Sequence, residues 1–234
     1  MIVIIICGGD EAGRGALIGP LVIAMISVKN NFERKLADIG VRDSKLLSRR
    51  KRESLYGMIF KIATEVKVDK IYPNEINEAM KTGISLNELE AVHFAKLFDS
   101  MKSTVNTLYL DSPDVIAEKF GIRVNMSSMK PTKIVGIGQK RVRGVTYTKI
   151  VSQHKADSRY PVVSAASIIA KVERDNEIER IGEELGIDIG SGYPADSYTI
   201  SAIRENMGNE ALKRHVREYW QTMRNIKQTR LTNF

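Results

Sequence analysis

One cysteine, three histidines and no long hydrophobic run are the first limits that this 234-residue sequence sets. Cys7 has no partner for an intramolecular disulfide, which predicts a reducing compartment, and we expect a cytoplasmic protein. The chain also lacks the Cys/His set of a zinc site. The apolar run at residues 1–7 is too short to span a membrane and has no basic segment of a signal peptide. With 17 Gly and 6 Pro, the composition excludes collagen and disorder.

Positive charge is unevenly distributed along the chain. The formal net charge is +8, yet residues 121–160 alone carry nine basic side chains and one acid. Residues 211–234 add a net +5, and the remainder of the chain is net −5. Such clustering is typical of a polyanion partner, because each neutralised phosphate releases counterions. A solvated basic surface is the alternative, so charge alone leaves nucleic-acid binding open.

Apolar periodicity predicts a mixed α/β sheet with a helical C-terminal appendage. Strands are predicted at 1–7, 21–28, 66–72 and 107–110, with a hairpin within 133–151. Helices are predicted at 49–64, 86–101, 162–184, 200–206 and 210–226.

Four acidic residues stand where a site is expected. Asp10 and Glu11 follow the first buried strand among glycines, Asp111 ends another strand, and Asp157 is the one acid within the basic region. Neighbours on a regular strand point to opposite faces, so Asp10 and Glu11 converge only if the chain turns there. A polar hairpin loop and a helix cap at Asp157 are the alternatives. A phosphate-binding nucleotide loop is disfavoured, because no Lys-Ser/Thr pair follows the glycines and no GxGxxG is present.

Converging carboxylates repel one another and raise their pKa values unless cations neutralise them. Two hard divalent ions about 3.5–4 Å apart would balance four such charges, activating a water and stabilising the leaving oxygen of a phosphodiester. Because the ligands are all oxygens, the expected ions are Mg²⁺ or Mn²⁺.

Five segments, in this order and spacing, resemble the ribonuclease HII family. They are Asp10–Gly15 with Ile18–Val22, Asp43–Leu46, the strand ending on Asp111, Lys155–Val172 and Gly190–Pro194. The resemblance implies a ribonuclease H-like fold, a mixed five-stranded sheet flanked by helices with a small C-terminal helical extension. It also implies endonucleolytic cleavage of RNA–DNA hybrids and of duplex DNA at single ribonucleotides, leaving 5′-phosphate and 3′-hydroxyl ends. Gly8-Gly9 depart from the family, which usually has an apolar residue and fewer glycines there.

The resemblance assigns roles to individual residues. The implied catalytic, metal-binding carboxylates are Asp10, Glu11, Asp111 and Asp157. The implied substrate-binding residues are Gly13, Arg14, Gly15, Ser44, Lys45, Lys155 and Tyr193. Of these, the glycine loop brings main chain to the 2′-hydroxyl that distinguishes RNA from DNA, and Tyr193 hydrogen-bonds that hydroxyl and stacks on the deoxyribose. Buried packing is the alternative for Tyr193.

The last seven residues resemble the motif with which replication enzymes bind a sliding clamp: Gln228, then aliphatic Leu231, then aromatic Phe234. A frayed terminus is the alternative. We therefore expect a catalytic domain at 1–190, a helical extension at 191–227 and a tail at 228–234, acting in replication and repair. An independent core and a one-chain active site predict a monomer.

Two other classes of function fit the sequence less well. Another nuclease of the same superfamily, a junction resolvase or the HIII ribonuclease, is disfavoured by the Gly-Arg-Gly loop and the lack of an extra N-terminal domain. A non-catalytic nucleic-acid-binding module is disfavoured because four acids beside phosphate would weaken binding.

Overall fold

The computed structural model describes residues 3–41, 47–135 and 146–231. The chain divides into two units. The first comprises 1–11, 23–69 and 87–172, and the second comprises 12–22, 70–86 and 173–234. The expected division at residue 190 stays a prediction. No helix in the described part of the chain is long and apolar enough to cross a membrane.

One mixed sheet contains six strands within the described residues, rather than the predicted five, in the order β3-β2-β1-β4-β6-β5. The strands are β1 Ile5–Ala12, β2 Leu21–Lys29, β3 Glu65–Ile71, β4 Thr107–Asp111, β5 Thr132–Ile134 and β6 Thr148–Gln153. Strand β4 runs parallel to both β1 and β6. The apolar run in β2 is buried from Leu21 to Val28, which explains why it reads as continuously hydrophobic.

The hairpin predicted within 133–151 is wrong, because β5 and β6 pair in parallel. Parallel strands need a crossover connection rather than a tight turn. This register sets Ile134 beside Ile150, and both side chains are buried. The parallel register therefore places these two apolar side chains together in the core. Much of the connecting segment, residues 136–145, lies outside the described residues.

The five predicted helices begin within three residues of the predicted position, and the described residues contain further helices that the sequence analysis did not predict. They are α1 Glu33–Asp38, α2 Arg49–Ile62, α3 Pro73–Lys81, α4 Leu86–Asp99, α5 Ala117–Ser127, α6 Ala156–Arg159, α7 Pro161–Leu185, α8 Ser197–Glu205, α9 Glu210–Lys213 and α10 Gln221–Leu231. Ser48 caps α2, its hydroxyl accepting from the Lys51 N–H at 3.3 Å. Asn209 caps α9 in the same way, accepting from the Ala211 N–H at 2.9 Å.

The long C-terminal helix predicted at 210–226 is interrupted between Lys213 and Gln221. Within this interruption Val216 forms an antiparallel bridge with Ile18, a pairing that helical backbone cannot make. Around the bridge lies the apolar core of the second unit. Its buried members are Leu17, Ile18, Ile178, Ile181, Ile189, Ala202, Ile203, Leu212, Val216, Met223 and Ile226.

Candidate active site

Three carboxylates meet at the ends of neighbouring elements in the first unit. Asp10, Asp111 and Asp157 each offer an oxygen, and these atoms all lie within 4.8 Å of one another. Strands β1 and β4 are parallel with Gly9 beside Leu110, so the next residue of each strand, Asp10 and Asp111, emerges at the same edge. The sheet register therefore brings together acids that are about a hundred residues apart in the chain.

Asp157 reaches the cluster through a tight connection between β6 and α6. Lys155 has the left-handed backbone (φ 55°, ψ 39°), which costs a residue other than glycine about 1–2 kcal/mol. The turn presents the Ala156 N–H to Asp111 Oδ1 at 2.9 Å. This hydrogen bond fixes Asp111 directly to the helix that carries Asp157. Strain at Lys155 is thus balanced by a contact inside the cluster.

Within the cluster, the pKa of Asp10 is strongly shifted. Its side chain is buried, with 4% of the residue exposed. Burial raises the pKa of Asp10 to about 7, and repulsion by Asp111 and, less strongly, Asp157 acts in the same direction. Hydrogen bonds from Ser167 and the Glu11 N–H partly offset the rise. A divalent cation would relieve both the desolvation and the repulsion. Three hard-oxygen ligands at this separation, two of them buried and Asp111 partly exposed, therefore fit Mg²⁺ or Mn²⁺.

Glu11 is the fourth predicted ligand, and it lies next to Asp10 on β1 rather than in a turn. The three-carboxylate group found among the described residues does not include it. Its own N–H donates to Asp10 Oδ1 at 2.8 Å, so its main chain supports the cluster. The role of the Glu11 side chain as a metal ligand stays a prediction.

Steric crowding explains why the two residues before Asp10 are glycines. A Cβ at Gly8 would stand 2.5 Å from the Val163 nitrogen at the start of α7. A Cβ at Gly9 would stand 2.9 Å from the Phe94 ring and 3.0 Å from Leu110. Larger residues would push α7 and α4 away from β1. The predicted strand 1–7 ends too early, because Gly8 and Gly9 continue the ladder with β4 and the strand runs on to Ala12.

The second unit brings together the glycine loop and the turn that carries Tyr193. The Gly192 carbonyl accepts from the N–H groups of Leu17 (2.7 Å) and Ile18 (3.2 Å). Gly13 is in the left-handed region (φ 88°), where a Cβ would also overlap the Arg174 side chain. Gly15 is exposed and no atom lies within 4 Å of a Cβ built there, so its main chain is open to a ligand.

Arg174 is a residue of this arrangement that the sequence did not reveal. It is 3% exposed, its guanidinium lies 4.3 Å from the centre of the Tyr193 ring, and Nη2 donates to the Ser191 carbonyl at 2.9 Å. Its side chain also fills the space beside Gly13. One buried arginine therefore supports both halves of the predicted recognition surface. An arginine within a charged helix segment normally signals solvent exposure, so no sequence pattern marks it.

The remaining predicted site residues lie partly within and partly outside the described residues. Ser44 and Lys45 lie outside the described residues. The side chain of Lys155 is exposed, two residues from Asp157. Gln228 and Leu231 lie on α10, where Gln228 is exposed, and Phe234 lies outside the described residues.

A buried carboxylate cluster at the carboxyl ends of parallel strands in a ribonuclease H-like sheet defines a metal-dependent nuclease of the ribonuclease H class. The family model for ribonuclease HII matches residues 7–223, and the chain belongs to the ribonuclease HII family. This family has ribonuclease H activity, and the enzyme is an endoribonuclease that hydrolyses RNA in RNA–DNA hybrids.

Similar proteins agree with this assignment. The chain is 39% identical to ribonuclease HII of Cenarchaeum symbiosum over 224 residues, which are 95% of this chain and 98% of that protein. The ribonuclease H2 structure from Pyrococcus horikoshii OT3 matches with TM-score 0.80 and 36% identity, covering 97% of this chain and 98% of the other. Ribonuclease HII in the Archaeoglobus fulgidus PCNA:RNase HII complex matches with TM-score 0.78 and 37% identity, covering 98% and 100%.

Proposed function

We propose that this enzyme cuts duplex DNA at single embedded ribonucleotides as well as cleaving longer hybrids, and that it removes ribonucleotides and RNA primers during replication and repair. The observation that carries the proposal is the presence in one chain of the Asp10–Asp111–Asp157 cluster and of a glycine loop joined to the Tyr193 turn. The first supplies hydrolytic chemistry, and the second supplies exposed main chain suited to a 2′-hydroxyl.

In the proposed mechanism two divalent ions, Mg²⁺ or Mn²⁺, supply when bound an activated water and stabilisation of the leaving 3′-oxygen. Asp10, Asp111 and Asp157 hold these ions, with Glu11 as the fourth ligand. The Ala156 N–H donates to Asp111 Oδ1 at 2.9 Å and so orients this carboxylate. Lys155, exposed beside the cluster, contacts the scissile phosphate.

Recognition of the ribonucleotide falls to the second unit. Main-chain groups of Gly13, Arg14 and Gly15 meet the 2′-hydroxyl, since glycine permits close backbone approach. The Tyr193 hydroxyl forms a hydrogen bond with the same 2′-hydroxyl, while its ring stacks on the adjoining deoxyribose.

Phosphate binding involves other residues. Ser44 and Lys45 bind phosphates further along the backbone. The basic segments 121–160 and 211–234 add salt-dependent affinity.

The test uses three duplexes of one sequence: all DNA, DNA with one ribonucleotide, and an RNA–DNA hybrid. With Mg²⁺ or Mn²⁺ we expect cutting of the second and third and none of the first, resolved on a denaturing gel. Extension of the upstream product by a DNA polymerase checks for the 3′-hydroxyl end. If the hybrid is cut and the single-ribonucleotide duplex stays intact, the proposed activity at embedded ribonucleotides is wrong. If the all-DNA duplex is cut, the enzyme belongs to another class of nuclease.

We further propose that the enzyme acts as a monomer that is recruited by a sliding clamp through residues 228–234. One relative is described in a complex with PCNA. Gln228 and Leu231 lie three residues apart on α10, which puts them on one face of the helix. The apolar residue types at positions 231 and 234 suit insertion into a hydrophobic pocket.

Replacing Leu231 and Phe234 together by alanine is expected to remove clamp binding in a calorimetric titration and to leave cleavage of a free hybrid unchanged. The two anchors supply the apolar contact area of the motif, and neither belongs to the acidic cluster. A matched control replaces the intervening Thr232 and Asn233 by alanine and should bind as the unmodified chain does. Equal clamp affinity of all three proteins would refute the role of the tail.

A further inference from the structure

Arg217 is a buried cation between α9 and α10, in the second unit. Its exposed fraction is 0%, and its guanidinium lies 5.3 Å from the centre of the Trp220 ring. Burying a guanidinium is unfavourable unless its N–H groups find acceptors. Here the acceptors are two main-chain carbonyls of the glycine loop: Nε and Nη2 donate to the Gly19 oxygen at 3.1 and 2.9 Å, and Nη1 donates to the Arg14 oxygen at 3.0 Å.

The backbone beside Arg217 fixes the same loop. The Arg217 N–H donates to the Leu17 carbonyl at 2.9 Å, and the Gly19 N–H donates to the His215 carbonyl at 2.9 Å, on either side of the Ile18–Val216 bridge. These contacts hold residues 17–19, which are buried. The guanidinium is the group that reaches further back, to residue 14.

The hydrogen bond from Arg217 to the Arg14 carbonyl also orients the N–H group of Gly15. The Arg14 carbonyl and the Gly15 N–H belong to one planar trans peptide, in which the two groups point in opposite directions. Because the oxygen is turned inward to the buried guanidinium, the Gly15 N–H is turned away from Arg217. Gly15 is exposed, and as glycine it would otherwise permit several orientations of this peptide.

We infer that Arg217 is a positioning residue for ribonucleotide discrimination: by holding the Arg14 carbonyl inward it aims the Gly15 N–H at the 2′-hydroxyl of the substrate. It acts through the loop and does not touch nucleic acid, since it is fully buried. The inference rests on the proposed function. It assigns to the C-terminal extension a part in specificity that is separate from its positive charge.

The test compares Arg217→Lys with the unmodified enzyme on the single-ribonucleotide duplex and on the long hybrid. Lysine keeps the positive charge but lacks the fork that spans two carbonyls. The ratio of kcat/KM for the single ribonucleotide to kcat/KM for the hybrid should fall about tenfold, the effect of losing roughly one well-aligned hydrogen bond. A long hybrid offers many registers for cleavage, so its kcat/KM should change less.

Leu212→Ala is the matched control for general destabilisation. Leu212 is buried in the apolar core of the second unit, and its truncation lowers the melting temperature without removing a donor to the loop. Its substrate ratio should stay that of the unmodified enzyme. An equal fall in Leu212→Ala, or an unchanged ratio in Arg217→Lys, overturns the inference.

A measurement on the unmodified protein keeps the inference testable if Arg217→Lys does not fold. Hydrogen exchange should show the Gly15 amide unprotected and the Gly19 amide protected, because among the described residues a carbonyl accepts from the Gly19 N–H and none accepts from the Gly15 N–H. A protected Gly15 amide overturns the inference. If the unmodified enzyme cuts the hybrid but never the single-ribonucleotide duplex, the proposed function is wrong and the inference fails with it. If the unmodified enzyme cuts both and only the result for Arg217→Lys or for the Gly15 amide disagrees, the inference alone is wrong.

Discussion

Replacing Asp10 with asparagine is expected to lower kcat on an RNA–DNA hybrid by about a thousandfold or more, the loss of several kcal/mol of charge stabilisation. The same change should raise the melting temperature of the metal-free protein at about pH 8. Asparagine has almost the same shape, so the packing around residue 10 is retained. The two effects have one cause, since the carboxylate proposed to hold the metal is also the one whose charged form is disfavoured by burial and by its acidic neighbours.

The sign of the stability effect follows from the pKa of Asp10. Its ordinary value is 3.8, and in the folded metal-free protein it is raised to about 7. A raised carboxyl pKa favours folding while the group is protonated, and this contribution is lost as the pH rises through 7. The difference in melting temperature between Asp10→Asn and the unmodified protein should therefore be small at about pH 4 and grow toward pH 8.

Two measurements separate this interpretation from a general defect. Binding of the hybrid in EDTA, followed by fluorescence anisotropy, should be unchanged or stronger in Asp10→Asn, because a negative charge has been removed. Asp38→Asn, an exposed carboxylate at the end of α1, serves as the control and should alter neither stability nor turnover. Loss of binding together with turnover would mean that Asp10 supports the fold rather than the chemistry.

Removal of divalent ions is expected to stop cleavage completely, and the metal affinity of the enzyme should rise with pH. Below about pH 7 Asp10 retains a proton that a cation must displace, so the affinity should increase by up to about tenfold per pH unit for one proton. Above pH 7 the dependence should level off. Titration calorimetry with Mn²⁺ in two buffers of different ionisation enthalpy measures both the affinity and the proton release.

Cleavage that persists in EDTA would contradict metal-dependent hydrolysis. A Mn²⁺ affinity that is the same at about pH 6 and about pH 8 would contradict the assignment of the raised pKa to a metal-binding carboxyl. The stoichiometry of the titration also tests the proposal of two ions. If one ion binds per chain in the absence of nucleic acid, the second ion must bind together with the substrate. The titration is then repeated with the hybrid present, where two ions per chain are expected and one would contradict the two-ion proposal.

Where the sequence and the structure differ, packing overrides local preference. Glycine and acidic residues are poor strand formers, so the sequence predicts that β1 ends at Cys7. The strand nevertheless continues to Ala12, because Gly8 and Gly9 give α7 and α4 the space to approach. The helix predicted at 210–226 was interrupted for a comparable reason, since pairing of Val216 with Ile18 replaces helical hydrogen bonds.

By itself the sequence determined the family and predicted which residues carry the chemistry, from an acid after each of two buried strands, one acid in a basic region, and ordered motifs that resemble ribonuclease HII. These are local patterns, and chain order preserves them. Only the tertiary structure decided that Asp10, Asp111 and Asp157 meet within 4.8 Å, that their burial raises the pKa of Asp10, and that Arg174 and Arg217 are buried supports. Strand register, desolvation and the partners of a buried cation depend on groups distant in the chain, which no local pattern encodes.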